Sequence, residues 1–196
     1  EYAEVKERYE YYSEQKQDLE ESIVSLNALI ADLVASMESE FLSNFDIINK
    51  NFVEVYKKLF GGGSANLRIT DMDDVLSCDI EITAQPTGKK MKNLSLLSGG
   101  EKALTAISIL FAILISKPTP FCILDEIEAP LDDVNVYRFG DFLKELSQDT
   151  QFIAVTHRRG TMEVADFIYG VTMQEKGISS IIGIKLKEAQ EMVENS

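Results

Sequence analysis

From Glu1 to Phe60 the chain has neither glycine nor proline, and its apolar side chains recur at alternating steps of three and four. Tyr2, Tyr9, Lys16, Ile23, Ile30 and Met37 take the a positions of a heptad seam, and Val5, Tyr12, Leu19, Leu26 and Leu33 the d positions. A 3.5-residue period belongs to a helix that supercoils around a partner. Met37 to Phe41 is a second step of four, a stutter that locally unwinds a left-handed coil, and the stripe resumes through Phe45, Ile48, Phe52, Val55 and Leu59. At 1.5 Å per residue such a helix is about 90 Å long. The pattern predicts a coiled-coil helix over 1–60 and a globular domain over 61–196. The chain holds no second heptad segment, so the seam requires another chain, such as a copy of itself, or a part of the natural protein outside these residues.

Gly61-Gly62-Gly63 stops the helix. It is read as a turn and not a phosphate loop, because no Gly-Lys-Ser/Thr follows. Residues Asn66–Thr70 and Leu76–Thr83 alternate as two antiparallel strands, joined by a turn at Asp71-Met72-Asp73-Asp74. The segment from Gln85 to Lys92, with Pro86, Gly88 and three lysines, is expected to be a solvated basic loop.

The chemistry concentrates between Leu94 and His157. Ser98 and Glu101 make a capping box, which starts an apolar helix running to Ser116. Gly99 and Gly100 leave its first turn bare, so unpaired N–H groups and the positive end of the dipole face outward, a setting that suits phosphate. Phe121–Leu124 is a short, wholly apolar run that predicts a strand buried on both faces, ending in two adjacent carboxylates, Asp125 and Glu126. Doubly wound sheets place their ligands at such strand ends. Asp132 and Asp133 are N-cap candidates for a helix to Ser147 with Val136, Phe139, Phe142, Leu143 and Leu146 on one face. The only histidine, His157, closes another apolar strand, Phe152–Val155. Further strands are expected at Phe167–Met173 and Ser179–Leu186, and a last helix at Lys187–Glu194.

Composition narrows the classes. A 45% hydrophobic content supports a real core, no apolar run is long enough to span a bilayer, and the charged N-terminus is not a signal peptide. Cys78 and Cys122 fit no metal or redox spacing, so both are expected to be buried reduced thiols, which implies a cytoplasmic chain. A net charge of −14 repels a phosphate backbone, so any work on DNA needs its basic surface elsewhere.

Leu97-Ser98-Gly99-Gly100-Glu101 resembles the ABC-ATPase signature, Phe121–Glu126 a Walker B strand, Ala129-Pro130-Leu131-Asp132 a D-loop, and His157 the switch histidine. In order and spacing they resemble the C-terminal half of the head of a bacterial structural maintenance of chromosomes (SMC) ATPase, from about Asn51 to Glu188. The resemblance implies an α/β fold, the C-terminal lobe of an ABC-type head with a mostly parallel sheet flanked by helices, behind a neck coil. It also implies that Asp125 holds Mg²⁺, directly or through water, that Glu126 and His157 are catalytic, and that Leu97, Ser98, Gly99, Gly100 and Glu101 cover ATP held by an opposing head. Leu131 and Asp132 would belong to the D-loop, with Asp132 at the seam between heads, and Pro130 replaces the usual small residue of that loop. Implied partners are the N-terminal lobe of the same protein, a second head, a kleisin on the neck or head, and DNA through the full complex, in a nucleoid-associated cytoplasmic setting without membrane. No GxxxxGK[ST] occurs, so the chain alone should neither bind ATP well nor hydrolyse it. A RecN-like coiled-coil DNA-repair ATPase is the nearest alternative, and a non-enzymatic coiled-coil adaptor is a more distant one.

Overall fold

A computed structural model describes residues 1–185, so the helix expected at Lys187–Glu194 lies outside the described residues. Helix α1 spans Tyr2–Phe60 without a break, as the absence of Gly and Pro dictates. It ends in a Schellman motif: the N–H of Gly62 reaches the carbonyl of Lys57 at 2.9 Å, and that of Gly61 the carbonyl of Lys58 at 3.4 Å. Gly61 takes φ 67°, a left-handed backbone that favours glycine at this position. The three glycines are thus a helix stop, as read from the sequence.

Contacts divide the chain into two units, residues 1–46 with 71–79, and 47–70 with 80 onward. The globular unit therefore claims the last turns of α1, and its boundary falls ahead of the glycines. In the first unit the a and d side chains stand in solvent, from Tyr2 at 85% exposed to Met37 at 57%. Its 71–79 segment turns on the Asp71 carboxylate, which accepts the Asp73 N–H at 2.9 Å.

In the second unit Val55 and Leu59 from the end of α1 join one core with α2 (Gly99–Ser116), α3 (Asp133–Leu146) and β4 (Phe121–Asp125). Phe111 of α2 is its centre, with ring centroids 5.9, 5.3 and 6.4 Å from Phe139, Phe142 and Phe152. By length and composition both α1 and α2 reach bilayer-spanning size. One face of α2 is nevertheless committed to the core, where Leu104, Ile107 and Phe111 are enclosed.

The mostly parallel sheet is corrected. Among the described residues the one parallel pair is β4 with β5 (Gln151–Val155), in register from Phe121↔Gln151 to Asp125↔Val155. Strands β1 (Ser64–Ile69), β2 (Ile80–Gln85) and β3 (Lys92–Asn93) form an antiparallel sheet, and β6 (Phe167–Glu175) with β7 (Ile178–Lys185) an antiparallel hairpin. A four-residue helix, α4 (Arg159–Met162), follows His157.

Strand β4 also departs from expectation. Leu124 is 3% exposed, but Phe121 and Ile123 on the other face are 55% and 61% exposed, and Ile153 and Val155 of β5 are about half exposed. The run is apolar on both sides, yet this chain covers only one of them. Both cysteines are free and half-buried, less enclosed than expected, and burial raises the Cys122 thiol above its ordinary range, which keeps it protonated.

Candidate functional site

The parallel register sets the geometry. Asp125 pairs with Val155, and the N–H of Glu126 donates to the Val155 carbonyl at 2.9 Å, which brings the two carboxylates beside Thr156 and His157. Asp125 and Glu126 are exposed, and Nδ1 of His157 lies 3.3 Å from Oε1 of Glu126. Glu126 has φ 49°, the one positive value at a non-glycine among the described residues. A left-handed backbone at such a residue costs about 1 kcal/mol or more and is held only where the surroundings fix it. Here the backbone bond to β5 holds the residue at the strand end.

The tautomer has consequences. A neutral imidazole that donates through Nδ1 to Glu126 presents Nε2 as an acceptor. In that tautomer the ring has no second N–H to donate while the contact with Glu126 lasts.

The capping box at the start of α2 is formed. The Glu101 carboxylate accepts the Ser98 N–H at 3.0 Å and the Ser98 hydroxyl at 2.8 Å, and pairs with Lys89 at 2.8 Å. The Lys89 ammonium first, and the Ser98 N–H next, hold the Glu101 carboxyl down to about 2. Glu101 is therefore a structural cap, and the lysine of the basic loop that reaches the signature is Lys89. Ser98 and Gly99 are exposed, whereas Leu97 is 7% exposed and packs inward.

The glycines differ in cause. A Cβ on Gly100 would meet the Pro130 carbonyl at 3.3 Å, a tight contact within the chain; one on Gly99 would meet nothing within 4 Å. Gly99 is helical without a positive φ, so neither packing nor backbone within this chain accounts for glycine there. A bare helix end open to a group from outside does account for it.

The D-loop residues are placed less openly than expected. Leu131 is 4% exposed and belongs to the core. Asp132 caps α3, accepting the backbone N–H and side-chain amide of Asn135, each at 2.9 Å. Arg158 staples the loop, donating to the Leu131 carbonyl at 3.1 Å and to the Asp133 carboxylate at 2.8 Å. Arg159 faces solvent and pairs with Glu163 at 2.6 Å.

Sequence reasoning missed Glu128. It is 2% exposed and accepts hydrogen bonds from the hydroxyls of Thr156 and Thr161, the latter at 2.9 Å. These donors are 28 and 33 residues away in sequence, so no short motif announces the burial.

Among the described residues no three His, Cys, Asp or Glu side chains gather to hold a metal. A lone strand-end carboxylate still fits Mg²⁺, which commonly takes one or two carboxylates and completes its shell with water and phosphate oxygens.

A parallel strand pair with two carboxylates at the end of one strand and a histidine just past the end of the other defines an α/β domain with its ligand face at the strand ends. The chain belongs to the RecF/RecN/SMC family: the model described as "RecF/RecN/SMC N terminal domain" matches residues 4–180. It is 54% identical over 99% of its length to the chromosome partition protein Smc of Bacillus subtilis, and 47% identical over 96% to that of Myxococcus xanthus. It spans only about 16% of either relative. Among solved structures it resembles the Smc head domain with an extended coiled coil from Pyrococcus furiosus, bound to the C-terminal domain of ScpA. That match has TM-score 0.76 and 40% identity, and covers 97% of this chain and 48% of that one. A Thermotoga maritima SMC head matches at TM-score 0.59 and 38% identity over 77% of this chain and 52% of that one.

Proposed function

We propose that the chain is the C-terminal half of an SMC ATPase head with its neck helix, and that it hydrolyses ATP only with an N-terminal lobe and a second head. Head engagement and release would then serve chromosome condensation and segregation, in the cytoplasm at the nucleoid. The observation that carries this reading is the meeting of Glu126 and His157 at 3.3 Å, exposed, where the parallel pair ends. The lobe assignment rests on the motifs: signature, Walker B, D-loop and switch histidine are present, and no GxxxxGK[ST] is. The uncovered faces of β4 and β5 support it, because apolar strands of this kind normally lie between two layers.

Each residue then has a task. Asp125 holds Mg²⁺, directly or through water; the metal, when bound, offsets charge on the β- and γ-phosphate oxygens. Glu126 takes the proton of a water as its oxygen attacks the γ-phosphorus and the bond to the ADP oxygen breaks. His157 exchanges Glu126 for a γ-phosphate oxygen. Ser98, Gly99 and the free N–H groups of α2 close over ATP held by the opposing head. The seam from Tyr2 to Met37 takes an antiparallel helix of the N-terminal half, and a kleisin docks on the neck or head, as ScpA does in the Pyrococcus furiosus complex. The acidic chain leaves DNA contact to the remainder of the complex.

The test is turnover with and without an added N-terminal lobe. The chain alone should be inactive and the reconstituted head active. Glu126→Gln should lower turnover on the order of 100-fold or more and accumulate ATP-bound head dimers. Turnover by the chain alone, or unimpaired turnover in Glu126→Gln, would contradict the assignment.

A further inference from the structure

The hydrolytic reading uses Glu126 and His157, which lie on separate segments with nothing covalent to keep them in step. Between them sits a carboxylate to which that reading gives no task. Glu128 is 2% exposed, two residues after Glu126 and four before Asp132. Both hydroxyls that reach it come from the His157 side, Thr156 immediately before the histidine and Thr161 in α4, itself 4% exposed.

The same threonine is fixed twice, since the Thr156 hydroxyl oxygen also accepts the N–H of Arg158 at 3.0 Å. Arg158 returns to the D-loop through the Leu131 carbonyl, and the Leu131 N–H bonds back to the Glu128 carbonyl at 3.0 Å. The bonds close a ring: Glu128, Thr156, Arg158, Leu131 and Glu128 again.

A buried carboxylate is a costly way to join two loops, and apolar packing would do so more cheaply. What hydrogen bonds add is direction and a single register. We propose that Glu128 is a positioning residue for hydrolysis: through Thr156 and Thr161 it clamps the segment of His157 to that of Glu126, so the two move as one body. This rests on the reading that Glu126 and His157 work at the γ-phosphate. Glu128 itself touches no substrate, and its effect falls on the chemical step, because misplacing a reacting group by about 1 Å costs on the order of 100-fold in rate.

The experiment compares Glu126→Gln, Glu128→Leu, Thr156→Val and Thr156→Ser in the full-length SMC protein, reading kcat, KM for ATP, and ATP-driven head association by cross-linking. Glu128→Leu, which removes the acceptor of both hydroxyls, and Thr156→Val should each lower kcat about 10- to 100-fold, with KM and head association within about twofold of the unaltered protein. Their combination should cost little more than either alone, as for partners in one bond. Thr156→Ser, which restores the hydroxyl, should recover turnover.

Thr156→Val guards against a Glu128 variant that fails to fold. If Glu128→Leu and Thr156→Val leave kcat unchanged while Glu126→Gln stops turnover, the clamp is wrong and the site reading stands. If head association and kcat fall together, the ring is ordinary structure and the clamp is again wrong. If Glu126→Gln turns over normally, the site reading falls and the clamp with it.

Discussion

The two faces of the β4–β5 pair carry the same kind of side chain and meet opposite fates. Leu124 is enclosed with Phe111 and its neighbours in one core, while Phe121 and Ile123, on the opposite face of the same strand, are more than half exposed. Helix α1 repeats the contrast along its length. Val55 and Leu59 are buried, and Ile23, Leu26 and Ile30, on the same stripe, are more than half exposed. Apolar periodicity fixes which face must be covered, and says nothing of whether the cover belongs to the same chain. One part of this molecule is complete, and the other is shaped for something else.

Substitutions can break that contrast or sharpen it. The largest effect is expected at the centre of the complete part, where Phe111→Ala should cost about 3–5 kcal/mol of stability by urea unfolding. A cost below about 1 kcal/mol would mean that the core is not organised around that ring.

A smaller effect is expected where the complete part meets the site. Glu101 is held down to about 2, so its contribution is full above the ordinary carboxylate range and is lost as pH falls from about 4.5 to about 2. Lys89, the largest cause, is half exposed and therefore screened by solvent. Lys89→Ala should cost about 0.5–1 kcal/mol at neutral pH and shift part of the acid loss to higher pH, measured by unfolding at stepped pH.

The smallest effect is expected on the uncovered face. Ile123→Ser should change the stability of the isolated chain by no more than about 0.5 kcal/mol, yet weaken its association with an N-terminal lobe by about tenfold or more. A large loss in the chain alone would show that this face is already in use.

What could be read from the sequence follows the range of the forces involved. The capping box at Ser98 and Glu101, the glycine stop after Phe60, and the Asp132 cap of α3 are local, and all three form where the residues place them. The strand ends at Asp125 and Val155 were legible too, because an apolar run followed by acid or polar residues has little choice of boundary. Long-range matters were not. Alternation identifies a strand without naming its neighbour, so the mostly parallel sheet was wrong and β2 begins at Ile80, later than Leu76. The burial of Leu131 in the core is another such matter, because residues far along the chain enclose it. Nothing local marks Glu128 in Asp-Glu-Ile-Glu, and only folding brings two threonine hydroxyls to it.

The central claim is that acids, lid and switch reside here while the phosphate cradle lies on a different segment. Calorimetric titration of the isolated chain with Mg-ATP tests it most directly. The account predicts no saturable binding across the ~1 μM to 1 mM range in which enzymes ordinarily hold substrate, and binding once an N-terminal lobe is added. One ATP bound per isolated chain with micromolar affinity would contradict it.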